Sequence, residues 1–333
     1  VSADYDKIVC IDEWQPDDSS YENGYYPEGT REKAVYFSPA DVGNVSLRPQ
    51  WRYLFKKSRT RTPWQFWMEI IAYRIGQVMD VPVPPAYVGL SNREKPSQAV
   101  YGALIEWFYS QEERYVEGAR LIRPLIPDFD DKTGKQHNLL TILRVPQFTN
   151  VPNPEENRNN LAAYWARILT FDTVIGNVDR HPENWGIVRP SEAKKGIKEG
   201  IVSVRPSPAF DNGTAMSYEQ PEEHFSRFDD EQYALRYLTK PRRARHHMRW
   251  SLDEQGDMNF FDFMRRFVRE FPQTKDSILG RLQFTEAALR ARLGGLPSIP
   301  VDEGCRLTPR RLDFTLTLVM KRAALLRRAL END

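Results

Sequence analysis

Apolar positions change their spacing along the chain, and the change divides it into parts. In Ala34-Val35-Tyr36-Phe37 and Trp51-Arg52-Tyr53-Leu54-Phe55, short apolar runs flank a segment containing Pro39, Asp41 and Gly43. That is the pattern of two strands joined by a turn-bearing loop. From 63 to 79 the spacing becomes helical, with Phe66, Ile70, Tyr73 and Val78 on one stripe and Pro63 where a first-turn proline is tolerated. Val81-Pro82-Val83-Pro84-Pro85 then stops the helix, because a residue before proline is pushed out of the α conformation. Residues 86–90 and 100–108, rich in Val, Tyr, Ile and Phe, predict further strands.

Beyond Glu112 the pattern is helical. It is clearest over 160–174, where Leu161, Trp165, Ile168, Leu169 and Thr173 share a face, and it returns over 230–238, 259–271, 285–293 and 308–330. Residues 274–290 suit either core or a docking surface, with core the expectation. Residues 1–29 are polar and acidic without periodicity and predict an irregular arm. A strand-rich first third before a helical remainder predicts segregated α+β organisation with a cleft between the parts. The expected divisions are an arm over 1–30, a strand-rich lobe over 31–110 and a helical lobe over 111–333.

Composition narrows the function classes. With 333 residues, 40% hydrophobic and 28% charged, the chain has the balance of a globular protein of about two lobes. Its 47 Lys and Arg against 46 Asp and Glu give no overall field for nucleic acid or an anionic membrane. Two distant cysteines, Cys10 and Cys305, make neither a disulfide framework nor a zinc site. No apolar run approaches the ~18 residues of a membrane span, and the first residues lack a signal pattern. A cytoplasmic location is therefore expected, with secretion as an effector left open.

Candidate chemistry is concentrated in Asp179-Arg180-His181-Pro182-Glu183-Asn184 and in Pro208-Ala209-Phe210-Asp211-Asn212-Gly213. Phosphoryl transfer asks little covalent chemistry of a protein. It needs a carboxylate to orient the attacking hydroxyl and oxygen ligands to hold Mg²⁺ against phosphates. Asp179, Asn184 and Asp211 can supply these. A helix ending near Gly176 would present Asp179 and Asn184 from one loop. A hairpin from Trp185-Gly186-Ile187-Val188 through a strand near Ile201 to Val204 would bring Asp211 back beside Asn184.

These motifs resemble the HipA-like kinases, a family that includes HipA toxins and CtkA-type bacterial kinases and shares the two-lobed protein-kinase-like fold. The first motif is similar to that family's AspXHisXXAsn catalytic loop, without insertion or deletion. The second is similar to its metal-binding Asp. Tyr53-Leu54-Phe55-Lys56 resembles the strand carrying the ATP-contacting lysine, with Lys57 as the adjacent alternative and Glu69 as its partner on the next helix. Leu104-Ile105-Glu106-Trp107-Phe108 resembles the segment whose backbone reads adenine, so that Glu106 and Phe108 would bind and wall the base.

The resemblance, over about 35–240, implies ATP and Mg²⁺ as cofactors and transfer of the γ-phosphate to Ser or Thr of a protein, the chain itself included. Asp179 would orient the hydroxyl, Asn184 and Asp211 would hold metal, and His181 would stabilise the loop. No GlyXGlyXXGly loop precedes Lys56, so the segment from Phe37 to Asn44, with Ser38 and backbone amides, is expected to meet the phosphates. No AlaProGlu-type segment follows Asp211. Two other readings stay open: an idle nucleotide-binding module, and a phosphoinositide or small-molecule kinase. A basic run over 240–245, followed by His246 and His247, suits a solvated face better than a phosphate, acidic-substrate or RNA site.

Overall fold

The computed structural model describes residues 6–17, 31–43, 46–93, 99–130, 135–145, 153–191, 204–241, 243–254, 256 and 258–331. Most of the insert between the two motifs, residues 201–203 of the strand expected near 201–204, Asn44, Arg242 and most of the N-terminal arm lie outside the described residues.

Strands β1 (Val9–Cys10), β2 (Gln15–Pro16), β3 (Lys33–Phe37), β4 (Arg52–Lys57), β5 (Ala86–Ser91) and β6 (Val100–Glu106) form one sheet in the order β1-β5-β6-β4-β3-β2. All its pairings are antiparallel except β1 on β5. β1 and β2 arise in the stretch expected to be irregular, since strands of two residues are too short to write a period-2 pattern.

Alternation along β4 and β6 sorts their side chains. Tyr53, Phe55 and Leu104 join Trp14, Leu47 and Tyr87 in a core on the outer face. Ala103 and Ile105 point to the other face, into the main core with helix α1 (Trp67–Met79). Helix α1 begins later than its periodicity suggests, after turns in which the Ser58 hydroxyl accepts the Phe66 N–H at 2.8 Å. It lies between the sheet and the helical half, where Trp67 Nε1 donates to the Cys305 carbonyl at 2.8 Å. One continuous core therefore joins the two halves.

The second half contains β7 (Glu113–Glu117), α2 (Gly118–Ile122), α3 (Leu139–Ile142), α4 (Pro154–Ile175), β8 (Gly186–Pro190), β9 (Arg205–Pro206), α5 (Glu231–Thr239), α6 (Phe260–Glu270), α7 (Lys275–Arg281), α8 (Glu286–Leu293) and α9 (Pro309–Glu331). A small sheet β7-β8-β9 holds an antiparallel β8–β9 pair, with β9 just after the strand expected near 201–204, and one unexpected strand, β7. The sequence Glu113-Arg114-Tyr115-Val116-Glu117 has few apolar residues, which hides β7 from a hydrophobicity reading. The mixed α+β architecture agrees with the expected fold class.

Helix α4 has well-marked ends. Asn153 caps it by accepting the N–H groups of Glu155 and Glu156, Pro154 occupies its first turn, and both glutamates sit at the positive end of the helix dipole. Gly176 ends it at φ +67°, a left-handed conformation that costs glycine nothing. Its buried stripe of Leu161, Trp165, Ile168, Leu169 and Ile175 packs against α9, α6 and α7. The loop that follows is therefore carried by a helix whose C-terminal half is deeply packed.

Candidate active site

The loop after α4 is built around a carboxylate that the apolar helix encloses. Asp172 is fully buried and accepts from Arg180 Nη2 at 2.8 Å, Arg180 Nε at 3.1 Å and Asn177 Nδ2 at 3.1 Å. Asn177 Oδ1 in turn accepts the Asp179 N–H at 3.0 Å. The rest of the Arg180 guanidinium donates to the carbonyls of Asn184 (3.3 Å) and Phe210 and to Asn212 Oδ1 (2.8 Å). One buried arginine thus joins the 177–184 loop to the 208–212 segment, although the chain between them includes the whole insert.

Within the loop, the Asp179 carbonyl accepts the His181 N–H (2.9 Å) and Asn184 Nδ2 (3.0 Å). Asn184 is thereby folded back beside Asp179. Asp179 is half-buried, and Thr214 Oγ1 donates to its Oδ2 at 3.5 Å. Burial pushes the Asp179 carboxyl up, His181 and Arg180 oppose this, and the charge of Asp211 adds to it. The two aspartates therefore share one electrostatic neighbourhood. His181 stands at the rim, with Nδ1 3.4 Å from Glu183 Oε2 and its ring edge-on to His247.

Across the cleft, the β3–β4 ladder places Lys33 opposite Lys56, on the face of the sheet that looks toward α1. Lys56 Nζ donates to Glu69 Oε1 at 2.8 Å and to Asp211 Oδ1. Glu69 is enclosed: it also accepts from Arg31 Nη2 at 2.8 Å and, through Oε2, from the Asn212 N–H at 2.8 Å. Lys57 points to the other face, where it meets Glu32 at 2.8 Å, so of the two lysines it is Lys56 that reaches Glu69 and Asp211. Asp211 adopts φ +56°, a left-handed conformation that aspartate tolerates better than most residues, and its carboxylate turns to Lys56. Lys56 and Arg31 hold it well below the ordinary carboxylate range against the opposing effect of burial.

Two expected site residues are not brought to this cluster. Ser38 follows the end of β3 that pairs with Arg52, about five residues or ~17 Å along the ladder from Lys56. Its hydroxyl donates to the Arg48 carbonyl (2.6 Å) and accepts the Trp51 N–H (2.9 Å). Glu106 pairs opposite Tyr53 on the outer face of the sheet, where its carboxylate accepts from the Tyr53 hydroxyl (3.3 Å) and meets Arg48 (3.5 Å). Burial pushes that carboxyl up. The Glu106 N–H is taken by the Pro85 carbonyl, which leaves its own carbonyl as the group that could face a base. Phe108 does reach the cleft: its ring stacks on Phe210, directly before Asp211, at 5.0 Å between centroids.

Sequence reasoning missed Arg31, Lys33, Asp172 and His137. Asp172 was detectable as a lone carboxylate on the buried stripe of an apolar helix. His137 was not. Trp185 Nε1–H donates to His137 Nε2 at 3.1 Å, so a neutral His137 carries its proton on Nδ1 and donates to His247 Nδ1 at 3.1 Å. Burial lowers three histidines here: His137 well below 6.5, His247 to about 4 and His246 to about 3.

The donor set fits a hard cation. Asp211 and Asn184 offer carboxylate and amide oxygens, and Mg²⁺ characteristically takes one or two such ligands and completes its shell with phosphate and water. Among the described residues there is no group of three or more His, Cys, Asp or Glu that would hold a metal alone.

No protein-family model and no curated protein sequence matches the chain. Solved structures do. The Helicobacter pylori proinflammatory kinase CtkA superposes with a TM-score of 0.68 at 16% identity, covering 98% of this chain and 99% of that one. HipA of the Shewanella oneidensis MR-1 toxin–antitoxin system, solved with HipB and operator DNA, gives 0.50 at 12% identity, covering 95% of this chain and 74% of that one. The fold is therefore the one the motifs implied, that of the CtkA and HipA structures.

Two outcomes follow from the buried groups. Arg180→Met leaves the Asp172 charge unpaired in the core and should cost about 3–5 kcal/mol in urea denaturation; a loss below about 1 kcal/mol would contradict the bracing role. Histidines held neutral by the fold bind fewer protons than in the unfolded chain between their lowered values and 6.5. Their contribution is complete above pH 6.5 and is lost as pH falls toward 4, by about 1.4 kcal/mol per pH unit for each. His247→Gln should flatten the decline in melting temperature between pH 7 and pH 5.

Proposed function

We propose that the chain is an ATP- and Mg²⁺-dependent kinase that transfers the γ-phosphate to Ser or Thr of a protein, the chain itself included. The observation that carries this reading is the convergence of Lys56 and Glu69, from a neighbouring strand and helix, with Asp211, 155 residues further along the chain than Lys56, opposite a second half-buried aspartate, Asp179.

Each group has a defined task. Glu69 fixes Lys56 so that its ammonium can meet the α and β phosphates without being reoriented. Phe108 and Phe210 offer an aromatic wall for the base. Asp211 and Asn184 would hold Mg²⁺, which when bound neutralises charge on the β and γ phosphate oxygens. Asp179 accepts the hydrogen bond of the incoming hydroxyl and takes its proton as the bond to phosphorus forms, and ADP leaves. A carboxyl pushed up by burial is a better proton acceptor than a solvated aspartate. The resemblance of the motifs to HipA-like kinases and the fold shared with CtkA support the same chemistry. No helix among the described residues is long and apolar enough to cross a membrane.

The test is phosphoryl transfer from γ-labelled ATP with Mg²⁺, using wild type and Asp179→Asn, with a cell lysate as acceptor. Wild type should label itself or a lysate protein, and Asp179→Asn should lose at least about a hundredfold in rate while ATP affinity stays within about threefold, since general-base contributions are of this size. Transfer retained in the variant would remove Asp179 from its role. ATP binding by wild type without label on any protein, lipid or small molecule would favour the idle nucleotide-binding module.

A further inference from the structure

Arg31 stands just before β3, outside every motif, yet it reaches the centre of the site. Its side chain is 6% exposed. Nη2 donates to Glu69 Oε1 at 2.8 Å and to Asp211 Oδ1 at 3.3 Å. Nη1 is buried and has no hydrogen-bond partner among the described residues. A cationic N–H that has lost its water and found no acceptor is a costly arrangement, and an anionic oxygen is the group that relieves it best.

Two further features place this donor in a prepared position. The guanidinium lies against Gly213, where a Cβ would stand 2.3 Å from Nη2 and 2.4 Å from Nη1. Glycine after Asp211-Asn212 is what admits the arginine. Positive charge is also gathered here: Arg31, Lys33 and Lys56 stand at the same end of the sheet beside the carboxylates of Glu69 and Asp211. Burial and then the neighbouring Lys56 push Lys33 down to about 8, against the opposing charges of Asp211 and Glu69.

We propose that Arg31 is a phosphate-binding residue, whose free Nη1–H receives a phosphate oxygen of the bound nucleotide. With Lys56 it forms a two-cation clamp at the end of the sheet opposite the Ser38 loop. A guanidinium suits this position because its planar fork can keep Glu69 on one nitrogen while offering the other to phosphate. The inference rests on the nucleotide reading of the site.

The test is calorimetric titration of wild type, Arg31→Met and Arg31→Lys with Mg²⁺-ATP and with adenosine, alongside the melting temperature of each. Arg31→Met should lose at least about tenfold in ATP affinity, the size of one charge-assisted hydrogen bond, while adenosine changes less than about twofold. Arg31→Lys keeps the charge but not the fork, and should lose several-fold for ATP alone; it decides the matter if the Met variant does not fold. Where adenosine binds too weakly to titrate, loss of ATP affinity at an unchanged melting temperature reads the same way. Equal weakening of both ligands, or undiminished ATP affinity in a folded variant, overturns the proposal and leaves Arg31 as a brace for Glu69. Failure of wild type to bind ATP overturns the nucleotide reading and this inference together, so the two failures are distinguishable.

Discussion

Asp172 and Arg180 form a fully buried ion pair at the end of α4, and the geometry of the site hangs on it. A carboxylate in an apolar core is tolerable only when its oxygens are satisfied, and here Arg180 and Asn177 satisfy them. The same guanidinium then reaches the carbonyls of Asn184 and Phe210 and the side chain of Asn212. Because arginine keeps its charge and offers its donors in a rigid plane, one side chain sets the spacing of two loops. The backbones that carry Asp179 and Asp211 are therefore held together by a side chain as well as by the β8–β9 pair between them.

The opposite wall depends on alternation. A strand sends successive side chains to opposite faces, so Lys56 and Phe55 are assigned to cleft and outer core by the pleat alone. Glu69 waits on α1 to receive the lysine, and Asn212 donates its N–H to the same carboxylate. The two halves are thus tied at three levels: a shared core around α1, the Glu69 contacts, and the cation contacts to Asp211. An anionic ligand with a divalent cation would enter a site whose opposite charges are already paired to one another. Its binding would exchange the Lys56–Asp211 pair for contacts with phosphate and metal, while Glu69 keeps its hold on Lys56.

Much of this was legible in the sequence. Long amphipathic stretches such as 160–174 and 308–330 show their period clearly, because burial on one face constrains every third or fourth residue. The motif residues Asp179, Asn184 and Asp211 could be found because their spacing is dictated by a loop and a hairpin. The β7 strand was hidden by its charged ends, and β1 and β2 by their length. Ser38 illustrates a different error. A hairpin joins the end of β3 to the start of β4, so the loop between them must lie far from Lys56 near the end of β4; the register, not the polarity of the loop, decided its place. Arg31 left no pattern, since its partners are 38 and 180 residues away.

The central claim is that these side chains form a metal-assisted nucleotide site, and calorimetric titration of wild type with ATP tests it most directly. The account predicts binding that Mg²⁺ strengthens by at least about tenfold, a gain that Asp211→Asn removes, in keeping with a carboxylate that holds the metal against phosphates. Absence of ATP binding, or binding indifferent to Mg²⁺ in wild type and variant alike, would contradict it.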